Sequence, residues 1–216
     1  MALTFMQKLH GALDVARGRY DQRIDSDLGL WQGRYFAAVN DHGLLRRHWR
    51  NEGEVAPGLF RANHPDENAL RQWKARGIVE VISLRPAQFA VHEFEARTCE
   101  ALGLRLRNVP LEARSAPRPE RLLSLLDIFD TLERPALIHC KSGADRTGLA
   151  AALWGIHIEG HPVAEAKRAL GLRHLHLSWS KTGVLDRFLD AYQDRLKHGD
   201  IPIRLWIETE YDPSTL

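Results

Sequence analysis

Residues 136–148 read ALIHCKSGADRTG, a stretch in which a short apolar run is followed at once by a polar loop containing glycine. The run Ala136 to His139 predicts a short buried strand, and residues 146–158, rich in alanine and leucine, predict a helix. Cys140 is therefore placed at the carboxyl end of a strand, where open α/β sheets bind their ligands, rather than inside a core.

Strand and helix patterns alternate along the chain from Gly58 to about residue 200. This alternation predicts an α/β fold with a central, mostly parallel sheet and helices on both of its faces. The predicted elements are a strand at 58–61, a helix at 65–77, strands at 78–84 and 104–107 separated by a helix at 89–102, a helix around 122–129, the strand 136–139, the helix 146–158, a helix opened by Pro162, and a last helix from its cap Thr182 to about Lys197.

Composition limits the classes of function. A chain of 216 residues, 44% of them hydrophobic, is long enough for one globular domain with a full core. A net charge of only +2 provides no strong field for a polyanion, so no nucleic-acid partner is expected. Two cysteines indicate a reducing compartment rather than a disulfide framework, and the expected location is the cytoplasm. The histidines lack the spacing of a metal motif such as HExxH, so no metal site is expected.

The sequence divides into three segments. Residues 58–200 form the predicted domain, 1–57 are predicted to be an N-terminal helix and extension packed on it, and 201–216 a C-terminal tail. Trp31, Trp49 and the Leu44–Leu45 pair need burial, which favours an extension wrapped on the domain.

The N-terminal helix has apolar residues at helical spacing, and two interpretations remain open. The favoured one is a helix packed on the domain; the alternative is weak contact of residues 1–23 with a membrane surface. No apolar stretch approaches the roughly 18 residues of a membrane-spanning helix. The apolar positions are Met6, Leu9, Leu13, Ala16 and Tyr20.

The loop after Cys140 has the composition of an anion-binding site. Backbone N–H groups in a turn that leads into a helix N-terminus converge on one point, and Gly143 and Gly148 permit that turn. A thiol there has a lowered pKa, in the range of about 3.5–7.5 instead of about 8.5, when a cation lies beside it. Arg146 is that cation, and its planar guanidinium fits two oxygens of a phosphate.

The decapeptide HCKSGADRTG at 139–148 resembles the signature loop of the cysteine-dependent protein tyrosine and dual-specificity phosphatases. The resemblance extends over about residues 58–192. GLFRANHPDENALRQWKARGIVEVISLR at 58–85 is similar to the first strand–helix–strand of compact dual-specificity-like phosphatases, and LRHLHLSWSKTGVLDRFLDAY at 172–192 to the helical C-terminal part of bacterial relatives. The resemblance implies a phosphatase-like α/β fold.

The resemblance also implies a mechanism that requires neither a metal nor a cofactor. Cys140 would attack phosphorus to form a phosphocysteine, and Thr147 would donate to the sulfur as it leaves. His139 would hold the loop without transferring protons. The phosphate would be held by the loop itself, that is by Lys141, Ser142, Gly143, Ala144, Asp145 and Arg146.

The general acid is the point where the sequence departs from the family pattern. Many relatives carry an aspartate on the loop that corresponds to residues 110–120, and this loop contains none. Glu112 has suitable chemistry on that loop. Asp145 lies inside the signature loop, as in phosphatases of the myotubularin type. Both remain candidates, and Asp145 is favoured because the loop holds it within reach.

The substrate is expected to be a phosphorylated protein or an anionic non-protein phosphomonoester such as a phosphoinositide, an inositol phosphate or a lipid phosphate. Two other classes of protein are weighed against an enzyme of this type: a catalytically silent phosphate-binding module and, with less support, a sulfurtransferase. Lys141 is expected either to extend the positive field or to be a solvated charge. Arg114, Arg118 and Lys181 could together make the rim basic.

Three further features receive structural interpretations. Cys99 could pair with Cys140 as a protective disulfide, but inert packing is favoured. Arg85 is expected to make a structural ion pair. His174 and His176 are not expected to be a metal pair. The oligomeric state is left open.

Overall fold

In the part of the chain that the computed structural model describes, residues 3–18, 25–46, 48–87 and 90–216, five strands form one sheet. Their spatial order is 1-2-5-3-4, in which the first strand is antiparallel to the second and all other pairs are parallel. The strands are β1 (Gly53–Ala56), β2 (Leu59–Ala62), β3 (Glu80–Ser83), β4 (Arg105–Asn108) and β5 (Ala136–His139).

The central position of β5 places Cys140 in the middle of one edge of the sheet. His139 is level with Ala62 of β2 and with Ser83 of β3, so three parallel strands end at the same height beside the cysteine. The predicted α/β fold with a mostly parallel sheet is confirmed.

Helices cover both faces of the sheet, as the buried, nearly continuous apolar strands require. Side chains alternate along β5: Leu137 packs into one apolar cluster with the helices at 67–75 and 90–101, while Ala136 and Ile138 pack into a larger one with the helices at 119–130, 145–157, 184–196 and 203–209. The helices are α1 (Phe5–Ala16), α2 (Asp27–Tyr35), continued by a π-helix (Phe36–Asn40), α3 (Gly43–Arg46), α4 (Glu67–Ala75), α5 (Ala90–Ala101), α6 (Pro119–Asp130), α7 (Asp145–His157), α8 (Val163–Ala166), α9 (Val184–Leu196) and α10 (Ile203–Thr209).

Several predicted boundaries differ from the observed ones. The sheet begins at Gly53, inside the predicted extension 1–57, because β1 pairs with β2 across a tight hairpin. Residues 201–216, predicted to be a tail, contain α10, whose Trp206 and Ile207 are buried in the larger cluster. Thr182 does not cap the last helix; it lies in a 3-10 turn, and α9 begins after Gly183.

The N-terminal helix α1 packs against α2 through its face of small side chains. Gly11 and Val15 are its buried residues, and a Cβ at Gly11 would lie 3.0 Å from the Trp31 ring of α2. The missing side chain lets α2 approach this face, so the opposite, apolar face is left towards solvent. Its residues Phe5, Met6, Leu9 and Leu13 are exposed, whereas Tyr20 lies outside the described residues.

Of the large apolar side chains that were expected to be buried in the extension, not all are, and the side chain of Leu45 lies outside the described residues. Leu44 and Trp49 remain exposed, although Trp31 is partly buried by its stacking on Tyr35. Asp41 and Asn51 are buried instead. Within the described residues, no helix is both long enough and apolar enough to span a bilayer.

Candidate active site

The loop of residues 140–144, called here the catalytic loop, connects β5 to α7. Gly143 makes its turn with a positive φ of +73°, which is favourable for glycine alone. A Cβ at this position would lie 2.7 Å from the Ala62 carbonyl oxygen of β2. The loop can therefore pass this close to the sheet only with glycine at 143.

The Cys140 sulfur lies inside this turn, with only 1% of the residue exposed. The Gly143 N–H donates to Sγ at 3.3 Å. Burial alone would raise the pKa of the thiol, but the charge of Arg146, the Thr147 hydroxyl and the N–H groups of Thr147 and Gly143 outweigh it, and the pKa falls below its ordinary value. The environment thus favours the thiolate, the reactive form of cysteine.

Arg146, in the first turn of α7, combines this charge with a fixed position. Its Nη1 donates to the carbonyl oxygen of Leu84, just beyond β3, at 3.1 Å. The hydrogen bond fixes the guanidinium against the carboxyl end of the neighbouring strand. Cys140 and Arg146 are therefore brought to one edge of the sheet, as their spacing predicts.

Arg61 on β2 is a supporting residue that the sequence interpretation did not assign. Only 3% of it is exposed, and its Nη2 donates to the Gly143 carbonyl oxygen at 2.8 Å, while Nη1 donates to the Ala169 carbonyl oxygen at 3.0 Å. Burial lowers the pKa of Arg61 to about 10, so it stays charged near neutral pH. An arginine inside the otherwise apolar strand LFRA was the available signal.

His139 lies behind the catalytic loop against a buried carboxylate. Its Nε2 lies 2.5 Å from Glu95 Oε1 of α5, and Ser83 donates to Glu95 Oε2 at 3.1 Å. Burial would raise the pKa of Glu95, but the neighbouring His139 and His64 hold it well below its usual range. The position of His139 fits the loop-holding role implied by the resemblance.

These residues also meet the simple proximity criterion for a metal site. One ligand atom from each of His64, Glu95 and His139 lies within 4.8 Å of the others. Tetrahedral zinc with ligands at about 2.0–2.2 Å keeps those ligands about 3.3 Å apart. The 2.5 Å separation of His139 Nε2 and Glu95 Oε1 is shorter than that spacing, so these two atoms contact each other directly.

The extension reaches the catalytic loop through two buried side chains. Asn51 donates from Nδ2 to the Ser142 carbonyl oxygen at 3.0 Å, and its Oδ1 accepts a hydrogen bond from His174 Nδ1 at 2.9 Å. Asp41 receives two hydrogen bonds of 2.9 Å from Arg85, so the predicted structural ion pair of Arg85 is present. Lys141 Nζ lies 3.3 Å from Asp41 Oδ1, which partly neutralises its charge.

The Asp41 ion pairs give a stability prediction. Burial would raise the pKa of Asp41, but Arg85 and Arg46 lower it far below the ordinary value. The variant Asp41→Asn leaves two arginines without their anion and should lower the free energy of unfolding by about 3 kcal/mol or more at pH 7. Urea unfolding measures this loss, and the surface variant Asp127→Asn should lose less than about 1 kcal/mol.

The lowered pKa of Asp41 also determines how the stability difference between the wild type and Asp41→Asn depends on pH. A depressed folded-state pKa contributes stability above the unfolded value of about 3.9 and loses it as the pH falls further. The stability gap between the wild type and Asp41→Asn should therefore narrow below about pH 4. Equal stability of the two proteins at pH 7 would contradict the assignment of Asp41 as the anchor.

Asp145, the favoured acid, forms a three-residue chain that the sequence did not reveal. His176 Nδ1 lies 2.8 Å from Asp145 Oδ1, and His176 Nε2 lies 2.6 Å from Asp186 Oδ2 of α9. Burial would raise the pKa of Asp145, but hydrogen bonds from His176 and Thr182 lower it. Burial would lower the pKa of His176, yet the two carboxylates raise it.

Glu112, the other candidate acid, is occupied by two arginines. Its Oε1 lies 2.7 Å from Arg121 Nη1 and 3.2 Å from Arg118 Nε, and its Oε2 accepts from the Arg118 backbone N–H at 3.3 Å. These contacts fasten the loop after β4 to the start of α6. Arg118 is thus drawn into an ion pair, while Arg114 and Lys181 are exposed at the surface.

The two cysteines are free thiols in separate apolar clusters. Cys99 of α5 is buried beside Trp73 and Leu104, and burial raises its pKa to about 12. This environment agrees with the packing role that was favoured for it.

Comparison with solved structures identifies the fold. TpbA of P. aeruginosa matches with a TM-score of 0.57 and 20% identity, over 74% of this chain and 92% of TpbA. A putative phosphatase from Shewanella putrefaciens CN-32 matches with 0.55 and 19%, over 68% and 96%. The catalytic core of SIW14, a PP-IP phosphatase of S. cerevisiae, matches with 0.56 and 18%, over 68% and 89%.

Sequence comparison carries the assignment further. No curated protein matches the chain. The model of one family, described as a DSP-PTPase phosphatase fused to NAD+ kinase, matches residues 35–180, which include the catalytic loop, Arg61 and the Asp145–His176 pair. That match spans more than half of the 216 residues. The chain therefore belongs to this family of phosphatases of the dual-specificity and protein tyrosine type.

Proposed function

We propose that this protein hydrolyses phosphomonoesters without a metal, through a phosphocysteine formed on Cys140. The observation that carries the proposal is the Cys140 sulfur with its lowered pKa, enclosed by the Gly143 N–H and by Thr147 and Arg146 of α7. A thiolate beside a fixed guanidinium and converging amides is suited to bind a phosphate dianion and attack its phosphorus.

The first step forms the S–P bond while the P–O bond to the leaving group breaks. The loop amides and Arg146 hold the three equatorial oxygens, whose charge they balance through the transition state. In the second step water attacks phosphorus, the S–P bond breaks and inorganic phosphate forms. The Thr147 hydroxyl, which lowers the thiol pKa, stabilises the departing thiolate.

The leaving oxygen takes its proton from the pair Asp145 and His176. With a lowered pKa, Asp145 is a carboxylate near neutral pH and cannot be the proton store by itself. His176, with its raised pKa, holds that proton on the Nδ1 side and can pass it through Asp145. Asp186 keeps the imidazole oriented from Nε2. Glu112, held by two arginines, is the weaker candidate.

The substrate class is supported by two kinds of structural relatives. TpbA has been solved with phosphotyrosine, and SIW14 is a PP-IP phosphatase. Both substrates are anionic phosphomonoesters or related phosphates, in agreement with a phosphorylated protein or an inositol- or lipid-type phosphate for this chain. A silent binding module would not need a thiolate beside Arg146, and a sulfurtransferase would not need the phosphate clamp.

Trapping the intermediate tests the proposal. The protein is mixed with an aryl phosphate in the presence of a chelator, quenched rapidly, and analysed by mass spectrometry of its peptides. We expect a phosphate adduct on the peptide containing Cys140, in the wild type and equally in Cys99→Ser. Turnover without any such adduct under single-turnover conditions, or loss of activity on chelation, would refute the mechanism.

A further inference from the structure

The segment of residues 171–181, called here the rim loop, runs beside the catalytic loop. Two of its side chains turn inward: His176 contacts Asp145, and His174 contacts Asn51, which itself donates to the Ser142 carbonyl oxygen. The rim loop is therefore anchored to Asp145 and, through Asn51, to the catalytic loop.

The outward side chains of the rim loop include large apolar groups. Leu172 is 63% exposed, Leu175 58% and Trp179 74%, and Leu177 is exposed as well. Leu175 adopts a left-handed conformation with φ +59° and ψ +31°, which a bulky residue seldom occupies. The inward contacts of its neighbours His174 and His176 hold this conformation. The fold thus keeps Leu175 both in an unfavourable backbone conformation and with its apolar side chain in solvent.

The segment of sequence that contains these apolar residues carries charges of a single sign. Between Glu165 and Asp186 the sequence contains no acidic residue. It contains four basic residues, of which Arg168, Arg173 and Lys181 are exposed. Arg173 lies close enough for its charge to act on Arg61 behind the catalytic loop. The rim loop and its flanking residues thus present leucines, a tryptophan and cations to solvent.

We propose that the rim loop docks on an anionic lipid surface, and that the substrate is a phosphomonoester carried by a lipid in that surface. This inference rests on the proposed phosphatase function and specifies its substrate. Leucine and tryptophan side chains enter the interface between headgroups and acyl chains, while arginine and lysine pair with anionic headgroups. Tryptophan is favoured there because its ring is apolar and its N–H is polar.

The composition of the rim loop favours a lipid surface over a protein partner. A specific protein interface usually requires charges placed opposite those of the partner and a defined set of hydrogen bonds. The rim loop presents one sign of charge on short 3-10 turns, and its exposed Trp179 lies between two small serines. A diffuse anionic surface matches that pattern without requiring a particular arrangement of partner atoms.

Cosedimentation of the full chain with vesicles tests the docking step independently of catalysis. Vesicles of phosphatidylcholine containing phosphatidylglycerol are compared with vesicles of phosphatidylcholine alone. We expect binding to the anionic vesicles that weakens at high salt. The double variant Leu172→Ser/Trp179→Ser should bind at least about tenfold more weakly, and Arg173→Gln/Lys181→Gln should lose most of the preference for anionic lipid.

Matched controls separate the rim loop from other exposed apolar groups. Ile158→Ser/Leu205→Ser removes two exposed apolar side chains elsewhere and should bind like the wild type. Leu9→Ser/Leu13→Ser tests the apolar face of α1. Absence of vesicle binding by the wild type, or loss of binding only in the α1 variant, would overturn the proposal.

The activity readout distinguishes the substrate claim from the phosphatase claim. We expect the ratio of phosphatidic acid hydrolysis in vesicles to aryl phosphate hydrolysis in solution to fall at least about tenfold in Leu172→Ser/Trp179→Ser. Inactivity of the wild type on both substrates would refute the phosphatase function. Activity on the aryl phosphate together with an unchanged ratio in the variant would refute the docking role alone.

Discussion

Replacing Cys140 by serine should lower kcat/KM for an aryl phosphate by at least about 10⁴-fold, with the fold intact. Serine keeps the size of the side chain, but its hydroxyl has a pKa far above that of a thiol, so Arg146 and the loop amides cannot ionise it near neutral pH. The nucleophile is lost while the phosphate clamp remains. Steady-state hydrolysis at pH 6–8 in the presence of a chelator and a reductant measures the change.

The second cysteine is the matched control for this prediction. Cys99→Ser alters a buried thiol in the apolar cluster beside Trp73, so it should lower stability without changing kcat/KM beyond about twofold. Cys140→Ser should also still bind inorganic phosphate or vanadate, because Arg146 and the loop are unchanged. Retention of wild-type turnover in Cys140→Ser would place the chemistry elsewhere on the chain.

The parts of the fold that could be predicted from sequence are those in which the signal is local. The strand before Cys140 and the helix after it are read from adjacent residues, because burial of both sheet faces requires a continuous apolar run and a loop must follow it. Cys140 and Arg146 lie close together in the sequence, on one loop and the helix turn that follows it. Their convergence can therefore be predicted without knowing how distant parts of the chain pack. Their common position at the sheet edge was accordingly predicted correctly.

The supporting contacts could not be predicted because they join residues far apart in the chain. Arg61 reaches Gly143 across 82 positions, and Asn51 reaches Ser142 across 91. A single buried arginine or asparagine carries no sign of its partner in one sequence. The packing of α1 could not be predicted for a related reason: periodicity locates an apolar stripe, but Gly11 decides which face contacts α2.

The role of His176 illustrates the same limit at the site itself. His176 follows Asp145 by 31 residues and lies in an irregular segment whose pattern is uninformative. Only the packing of the rim loop and α9 brings it between Asp145 and Asp186. The choice between Asp145 and Glu112 therefore depends on which of them can be supplied with a proton. The sequence offered both candidates but did not reveal His176, the proton donor next to Asp145.

Replacing Asp145 by asparagine should reduce kcat/KM by about 10²–10⁴-fold on an alkyl phosphate, whose leaving oxygen needs a proton. On an activated aryl phosphate, whose leaving group departs as an anion, the loss should stay within about tenfold. Hydrolysis of a series of phosphates with leaving groups of rising pKa gives this dependence. Glu112→Gln should lower both rates by a similar small factor, because Glu112 fastens a loop through Arg118 and Arg121.

The pH profile separates proton transfer from a purely structural role of the same residues. Activity should fall at low pH as the Cys140 thiolate, whose pKa is lowered, becomes protonated. On the alkyl phosphate it should also fall at high pH, because His176 holds its proton below its raised pKa and loses it above. In His176→Gln this alkaline limb should disappear, whereas a residue that only shapes the loop would lower the whole curve evenly. An even loss in His176→Gln would leave His176 as a support of the loop. A leaving-group dependence in Glu112→Gln that Asp145→Asn lacks would make Glu112 the acid and leave Asp145 as a support as well.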